Sequence, residues 1–435
     1  MARIFKDDKC KIIMRVIWIM SRPLLGTLGT ANHNHTGSWI DAAFDSLKDN
    51  PSIEIHAISM SNCKKIKREV VGRHVAYMLP KSVYCNPKQL DPWRRLSKEI
   101  IPDLLMVWGS EQGVALSPVM ALNNIPRVVY IQGFLDNIVA NFNGGLSTSE
   151  ILKTFTFWDL FRLKWFPILK YRYKKRAEVE LKVLQLSDAV ILENDWCAGQ
   201  IRTLTHNRII YRSLLPIKSA FFNYDWNIKC INRHSLFVNA GGLPLKGHHT
   251  LFKALGYVVK RIPDIRLRIP GNPIDCSTLK KRIKTVGYHR YLYSLLKKYN
   301  IVDNVEYLGI LPSFDDMAKE CMKCNAFIMP SYVENHSSSL IEAMIVGAPC
   351  IATYVGGVQN ITINGENALV YNPSDAVALA DNIIRILSDD KLAISLSEQA
   401  KLIRPKRKVD IGEELLSIYR QEISLYHAQA DMQKE

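Results

Sequence analysis

The stretch AFIMPSYVENHSSSLIEAM, residues 326–344, decides the fold, because one type of secondary structure changes into another within it. Residues 326–329 form a continuous apolar run of strand length, and an apolar helical pattern follows from Leu340. Pro330 and a short polar loop separate the two elements. A buried strand, a short loop and a helix are the repeating unit of parallel sheets that are covered by helices.

The same alternation of strand-length and helix-length segments runs through nearly all 435 residues. Two sets of it predict the α/β class with two Rossmann-like, doubly wound domains. Periodicity lapses near residues 216–232, which predicts domains at 1–218 and 233–408, and residues 409–435 carry a last helical stripe. The predicted strands are Ile12–Ile19, Ile53–Ser59, Leu104–Trp108, Arg127–Ile131, Ala189–Leu192, Leu236–Asn239, Ile265–Ile269, Val305–Leu308, Ala326–Met329 and Cys350–Thr353.

Composition describes a globular protein with an anionic partner. No window approaches the roughly 20 apolar residues that a membrane span requires, and Arg15 interrupts the best early candidate. That candidate also lacks a small-residue cleavage site, so we expect neither a signal peptide nor an anchor, and we expect a cytoplasmic protein. The formal net charge is +16, which favours nucleic acid, an acidic membrane surface or phosphorylated small molecules as partners.

Nine cysteines follow no disulfide framework, and without an export signal they are expected to be free thiols. Cys321 and Cys324 form a C-x-x-C pair, but no second Cys or His pair with zinc-site spacing accompanies them. Packing at the end of a helix is the simpler interpretation of this pair, and a metal or redox role is the alternative.

The loop after the strand 326–329 is predicted to bind a diphosphate between two sugars. Free N–H groups and the dipole of a helix that begins near Ser337–Ser339 favour an anion, and the serine hydroxyls add donors. Glu334 and Glu342 flank that position as acceptors for vicinal sugar hydroxyls. The alternative for Glu342 is a capping box that starts at Ser339, but this leaves Glu334 and the serine cluster without a role.

A second loop, NAGGLPLKG at residues 239–247, also joins a strand to a helix. Gly241 and Gly242 let the backbone approach a ligand, and Lys246 lies where a phosphate needs a cation. His248 stands where a Walker A loop requires Lys, and the loop contains no G-x-G-x-x-G, so it matches neither nucleotide motif.

Taken together, these residues resemble the retaining family 4 glycosyltransferases of the GT-B fold, especially bacterial members of polysaccharide-assembly clusters for capsule or O-antigen. The resemblance covers Leu236 to about Ser388 closely. It is carried by Lys246-Gly247, Leu308-Gly309, Pro330-Ser331, the spaced glutamates, Gly347-Ala348-Pro349 and Tyr354-Val355-Gly356-Gly357, and more loosely by Trp108-Gly109-Ser110-Glu111 and Ile131-Gln132-Gly133.

The resemblance implies a role for each matched residue and two domains that face a cleft, with the last helix crossing back to the first domain. Glu342 would bind the ribose, Glu334 the sugar ring and Lys246 the diphosphate. Backbone near Ser337, Ser338 and Ser339 would complete the phosphate cradle beside Gly241 and Gly242. Gly309 to Leu311 would border the base, and Gly37 in Thr36-Gly37-Ser38 would be the glycine loop of the first domain.

Two positions depart from the family pattern. Gly242 stands where members often carry an Arg, which puts the phosphate clamp in question. Gln132 stands where many carry a His, which puts the acceptor contact in question. Gln132 and Glu111 are nevertheless the acceptor-side candidates, because both follow predicted strands of the first domain.

Residues 161–176, FRLKWFPILKYRYKKR, interleave basic and aromatic side chains. Such a stretch suits an anionic membrane interface, with rings at the headgroups and cations on the phosphates. A solvated helix is the alternative. We expect peripheral attachment to the inner face of the membrane, since polysaccharide acceptors are often lipid-linked.

The sequence therefore predicts a hexosyltransferase that uses a nucleoside diphosphate sugar and retains the anomeric configuration. Its acceptor would be a glycan or a polyprenyl-linked glycan, and neither a cofactor nor a metal is expected. The alternatives are a nucleotide-sugar epimerase of the same fold and, in a different class, a basic nucleic-acid-binding protein. The latter leaves the spaced glutamates, the serines and the strand-end loops without a role.

Overall fold

The computed structural model describes residues 13–29, 38–111, 113–205, 209–239, 241–408 and 410–432. They form two units: unit 1 comprises the described residues of 1–135, 175–216 and 408–435, and unit 2 those of 136–174 and 217–407. The predicted boundary had placed residues 136–174 in the first domain, whereas in the structure they group with the second unit.

Unit 1 contains an eight-stranded sheet in the order β3-β4-β2-β1-β5-β6-β7-β8. Neighbouring strands are parallel except for β3 and β4, which pair antiparallel at one edge of the sheet. The strands are β1 Met14–Met20, β2 Ile53–Ser61, β3 Lys67–Val71, β4 His74–Pro80, β5 Leu104–Trp108, β6 Arg127–Tyr130, β7 Ala189–Leu192 and β8 Ile209–Arg212.

Unit 2 contains a parallel six-stranded sheet in the order β11-β10-β9-β12-β13-β14. Its strands are β9 Ser235–Val238, β10 Arg266–Ile269, β11 Val305–Tyr307, β12 Ala326–Met329, β13 Cys350–Thr353 and β14 Leu369–Tyr371. The two sheets confirm the predicted pair of Rossmann-like units.

Helices cover both sheets. They are α1 Ser38–Leu47, α2 Lys81–Tyr84, α3 Asp91–Ile100, α4 Leu116–Ala121, α5 Leu135–Ala140, α6 Thr148–Lys153, α7 Phe157–Phe161, α8 Phe166–Leu186, α9 Asp195–Thr205, α10 His248–Val258, α11 Leu279–Lys284, α12 Gly287–Lys298, α13 Phe314–Lys323, α14 Ser338–Val346, α15 Ala376–Ser388, α16 Asp390–Lys401, α17 Arg404–Arg407 and α18 Ile411–Met432. Short 3₁₀ turns lie at Gly113–Ala115, Ser219–Asn223, Pro244–Lys246, Val302–Asn304 and Gly356–Asn360.

The strands are buried because both faces of each sheet carry apolar layers. Along β1, Ile17 and Ile19 pack into one layer of unit 1, while Val16 and Trp18 pack into the other. The second layer also contains Leu415 and Tyr419 of α18, so the last helix completes the core of unit 1. Side chains that alternate across a strand produce this double layer.

The register of unit 2 brings two loops together. β9 and β12 are neighbours, with Val238 opposite Ile328, so both strands end at the same edge of the sheet. The loops after the carboxyl ends of parallel strands are where such sheets bind ligands. We call residues 239–247 the glycine loop and residues 330–337 the glutamate loop.

Candidate functional site

The glycine loop is held tightly against the glutamate loop. Gly247 has a φ of 72°, and a β-carbon at this position would overlap the carbonyl of Pro330, so only glycine fits there. The backbone N–H of Tyr332 donates to the carbonyl oxygen of Leu245 at 2.7 Å. These two contacts, on either side of Lys246 in the chain, hold it close to the residues that follow β12.

Lys246 and Glu334 form an ion pair across the two loops. Lys246 Nζ lies 2.6 Å from Glu334 Oε1, and the two side chains are 39% and 15% exposed. The backbone N–H of Gly357 donates to the carbonyl oxygen of Glu334, which ties the glutamate loop to the turn after β13. Two residues that the sequence separates by 88 positions therefore share one site.

A small cavity of about 30 Å³ lies below this pair. Asn239, Lys246, His248, Glu334 and Ser339 contribute its polar lining. The cavity is small, and Lys246 and Glu334 both lie on its wall.

Helix α14 begins beside the cavity. Its N-cap is Ser337, whose side chain makes no capping hydrogen bond, and Ser337 Oγ lies 3.5 Å from Ser339 Oγ. The capping-box alternative is therefore wrong: Ser339 lies inside the helix, and Glu342 is not at the third helical position that a capping box uses. The first turn of such a helix presents N–H groups and a positive dipole end to an anion.

Glu342 lies on α14, about one turn further along. Burial raises the pKa of its carboxyl to about 8. A carboxyl in an apolar setting is stabilised as a charge only when donors reach it, and ligand hydroxyls are such donors. A strongly perturbed group at a strand-end site marks a functional candidate.

A larger cavity of about 170 Å³ lies on the other side of the glycine loop. Gly241 and Gly242 line it together with His248, His289 and Tyr307. Gly309 does not line it but is joined to Gly271, which does, by backbone hydrogen bonds of 2.6 and 3.2 Å. Of the two residues that follow Gly309, Ile310 is largely exposed, and Leu311 packs at the edge of the core.

His248 lines both cavities, although its sequence position suggests no role in the site. Its side chain is buried, and neither ring nitrogen has a hydrogen-bond partner of good geometry among the described residues. Burial lowers the pKa of His248 to about 4, so the ring is neutral at pH 7. The sequence shows His248 only as the residue at which a helix begins. The two cavities that its side chain lines become visible in the fold.

The acceptor-side candidates lie together in unit 1. A β-carbon on Gly109 would lie 2.7 Å from Glu111 Oε2 and 3.0 Å from Gln132 Oε1, so both side chains lie close to Gly109, just after β5. Burial raises the pKa of the Glu111 carboxyl, and Arg176 donates to the Glu111 backbone carbonyl at 2.7 Å. Gly37 lies outside the described residues.

Cys321 and Cys324 are buried in the core of unit 2. Cys324 Sγ donates to the carbonyl oxygen of Cys321 at 3.3 Å, and burial raises the pKa of both thiols. Within the described residues no group of three His, Cys, Asp or Glu side chains is placed to hold a metal ion. The cysteine pair packs as a core element of the site's scaffold.

Residues 233–403 match the family described as glycosyl transferases group 1. D-inositol 3-phosphate glycosyltransferase from Corynebacterium urealyticum is 29% identical over 158 residues, 36% of this chain and 35% of that protein. N-acetyl-alpha-D-glucosaminyl L-malate synthase from Bacillus anthracis is 30% identical over 110 residues, 25% of this chain and 28% of that protein. The matches thus span about a third of these curated relatives, and they confirm the predicted resemblance to glycosyltransferases.

Two solved structures share the fold over nearly the whole chain. Sucrose-phosphate synthase from Thermosynechococcus elongatus has a TM-score of 0.68 and 18% identity, and covers 95% of this chain and 100% of its own. HepE from Anabaena, in complex with UDP-glucose, has a TM-score of 0.64 and 13% identity, with coverages of 94% and 100%. The fold is GT-B, and residues 233–403 within it match the group 1 glycosyl transferases.

Proposed function

We propose that this chain transfers a hexose from a nucleoside diphosphate sugar to a hydroxyl of a glycan or lipid-linked glycan, with retention of configuration. The observation that carries the proposal is the Lys246–Glu334 pair at the start of α14, inside the region that matches group 1 glycosyltransferases. The UDP-glucose complex of HepE, a protein of the same fold, supports a nucleotide-sugar donor.

In this proposal the two loops divide the donor between them. Lys246 and the N–H groups near Ser337–Ser339 bind the diphosphate, and Glu342 accepts hydrogen bonds from the ribose. Gly241 and Gly242 let the nucleotide approach the backbone, and the segment from Gly309 to Leu311 borders the base. Glu334 holds the hexose ring once Lys246 has turned from it to the diphosphate.

The chemistry is the stabilisation of a departing diphosphate. Negative charge grows on the leaving group as the glycosidic bond breaks, and fixed N–H groups, a helix dipole and one ammonium oppose it. Glu334 is assigned to the hydroxyls of the sugar, so we propose front-face attack. In it the acceptor oxygen forms the new bond on the face that the diphosphate leaves, and its proton passes to a phosphate oxygen.

We propose that fixed positive charge makes a divalent ion unnecessary. In many transferases a metal neutralises the leaving diphosphate. In this proposal Lys246 supplies that charge and the dipole of α14 adds a partial one, which the position of the Lys246–Glu334 pair before that helix supports.

We further propose peripheral attachment to an anionic membrane that presents a lipid-linked acceptor for capsule or O-antigen assembly. No helix among the described residues is long and apolar enough to cross a membrane. Phe157 and Phe161 lie one turn apart on α7 and are 82% and 80% exposed, and Leu163 beside them is exposed too. Exposed rings next to Arg162 and Lys164 suit the headgroup region, in line with the basic-aromatic stretch that begins there.

Donor and acceptor panels test this function. A thermal-shift screen of nucleoside diphosphates selects the base, since a ligand of the native state raises its melting temperature. NMR of the first product with the matching nucleotide sugar should then show the donor's anomeric configuration, with EDTA present. Inversion, loss of activity in EDTA, or an epimerised nucleotide sugar without acceptor would refute the proposal.

A further inference from the structure

Helix α11 of unit 2 contributes no residue to the cavities of the donor site, yet it leaves two large apolar side chains uncovered. Leu279 is 74% exposed, and Ile283 is 54% exposed. The two residues are four positions apart, so they lie one turn apart on the same face of the helix. Neither side chain packs into an apolar core of the described residues. Adjacent apolar side chains that water surrounds indicate a contact surface.

The charges around these two side chains are mostly positive. Residues 272–284 include four basic residues and one acid, Asp275. Lys281, Arg282 and Lys284 are exposed, and Lys281 forms an ion pair with Asp275. Arg282 and Lys284 form no ion pair with another described residue. A short helix that combines uncovered apolar residues with cations is typical of elements that contact an anionic membrane surface.

The contacts of Gly287 place α11 beside α7. The backbone N–H of Gly287 donates to Oδ2 of Asp159, a residue of α7 that is 128 positions away in the chain, at 2.5 Å. A β-carbon on Gly287 would overlap the carbonyl oxygen of Thr154, so the backbones of the two segments touch there. Helix α11 ends at Lys284, and the three residues from there to Gly287 span at most about 11 Å. The two short helices are therefore neighbours within unit 2.

Helix α7 has the same combination of side chains as α11. Phe157 and Phe161 are also four positions apart, and they are 82% and 80% exposed. The exposed charged residues just after the helix are Arg162 and Lys164, whereas its one acid, Asp159, is buried. Two neighbouring helices from distant parts of the chain thus each present two uncovered apolar residues next to cations.

We propose that α11 is a second membrane-contact element, in which Leu279 and Ile283 insert into the headgroup region of an anionic bilayer while Arg282 and Lys284 bind lipid phosphates. The proposal rests on the proposed peripheral attachment through α7, but not on the proposed sugar transfer. A free anion would bind the cations and leave the two apolar side chains in water. A bilayer covers both, and it covers two separate short helices without a groove of complementary shape.

Sedimentation of the full chain with vesicles of phosphatidylcholine and phosphatidylglycerol, measured as a partition coefficient, tests the proposal. The double change Leu279→Ser and Ile283→Ser should lower the coefficient about tenfold or more, because two large apolar side chains no longer leave water on binding. The double change Arg282→Gln and Lys284→Gln should also lower it about tenfold or more at low salt. With vesicles of phosphatidylcholine alone, the charge variant should bind like the parent.

The matched control is the double change Val377→Ser and Leu402→Ser, since both residues are 64% exposed and lie elsewhere in unit 2. It should bind vesicles like the parent. Combining the serine changes of α11 with Phe157→Ser and Phe161→Ser should multiply the two losses, because separate contacts with one bilayer contribute independently.

A partition coefficient of the α11 serine variant equal to that of the parent overturns the proposal, even if the α7 variant binds more weakly. Sedimentation velocity without vesicles gives a second way to overturn it: a dimer of the parent that the Leu279 and Ile283 changes dissociate would show that this face binds a second copy of the chain. Calorimetry with the selected nucleoside diphosphate runs alongside on every variant. Unchanged nucleotide binding with weaker vesicle binding supports the membrane contact, whereas a parent that binds vesicles but no nucleotide refutes the donor assignment and leaves the membrane contact standing.

Discussion

Replacing Glu334 by Gln should separate two roles that the site gives to one carboxylate. In the structure Glu334 Oε1 lies 2.6 Å from Lys246 Nζ, and the cavity beneath this ion pair has a volume of about 30 Å³. In the proposed donor complex the diphosphate takes Lys246 away from Glu334. Glu334→Gln removes that competition and one negative charge near the phosphates, so the free nucleotide should bind more tightly while sugar transfer becomes slower.

The expected gain in nucleotide affinity depends on how exposed the Lys246–Glu334 ion pair is to solvent. The side chains are 39% and 15% exposed, so the pair is partly screened by solvent. Ion pairs of this kind contribute about 1 kcal/mol or less. Its removal should strengthen nucleoside diphosphate binding by up to about fivefold. If Glu334 also holds the hexose, a loosened sugar should lower kcat by on the order of 10²-fold.

Calorimetry with the nucleoside diphosphate and initial rates with the nucleotide sugar measure the two effects. Raising the salt concentration should shrink the gain in affinity, because the competing charges are partly screened. Glu398→Gln, an exposed glutamate on α16, is the matched control and should change neither quantity. Weaker nucleotide binding by Glu334→Gln would refute the competition, and unchanged kcat would remove Glu334 from the sugar.

Three other predictions concern single groups of the protein. Burial raises the pKa of Glu342 to about 8, and ribose hydroxyls favour the carboxylate, so nucleotide binding at pH 7 should release up to one proton. Glu342→Gln should bind the nucleotide more weakly and without that proton release. Calorimetry in buffers of different ionisation enthalpy measures the number of protons released, and equal release by both chains would contradict the ribose assignment. Lys246→Met should lower kcat about 10²–10³-fold with a smaller effect on KM in steady-state assays, and a loss of only a few-fold would show that another cation acts. The double change of Phe157 and Phe161 to Ser should reduce sedimentation with anionic vesicles about tenfold or more. Val377→Ser, at a similarly exposed residue, is the control and should leave sedimentation unchanged. Equal sedimentation of the two variants would argue against insertion of the phenylalanine rings into the vesicle surface.

The sequence predicts the bounds of strands most accurately where the apolar run is uninterrupted. Leu104–Trp108, Ala189–Leu192 and Ala326–Met329 match the structure to the residue, because strands buried on both faces carry no ambiguous polar position. The missed edge strand β3 has the opposite character. Charged residues and exposed positions break its pattern at the edge of the sheet, where burial does not constrain the sequence.

The sequence could not predict that residues 136–174 belong to unit 2, because contacts between distant parts of the chain place them there. Residues 136–174 follow the first set of strands in the chain, yet they are tied to the second unit. Gly144 accepts a hydrogen bond of 2.8 Å from His249 Nε2, and Glu150 pairs with Lys253 at 2.8 Å and accepts from the Tyr291 hydroxyl. Such contacts follow from no local periodicity.

The missing arginine at Gly242 can be interpreted from the surroundings of the glycine loop. Arg268, on the next strand, does not replace it, because its Nε lies 3.2 Å from Glu320 and 3.5 Å from Glu306. A side chain at Gly242 would have room, since the nearest atom to a β-carbon there is His289 Nε2 at 3.9 Å. Steric need therefore does not explain the glycine. Gly242 lines the 170 Å³ cavity and a further cavity of about 140 Å³, so a longer side chain would have space to extend into. In the proposed reaction no arginine therefore stands at position 242, and Lys246 with the dipole of α14 opposes the charge of the leaving group.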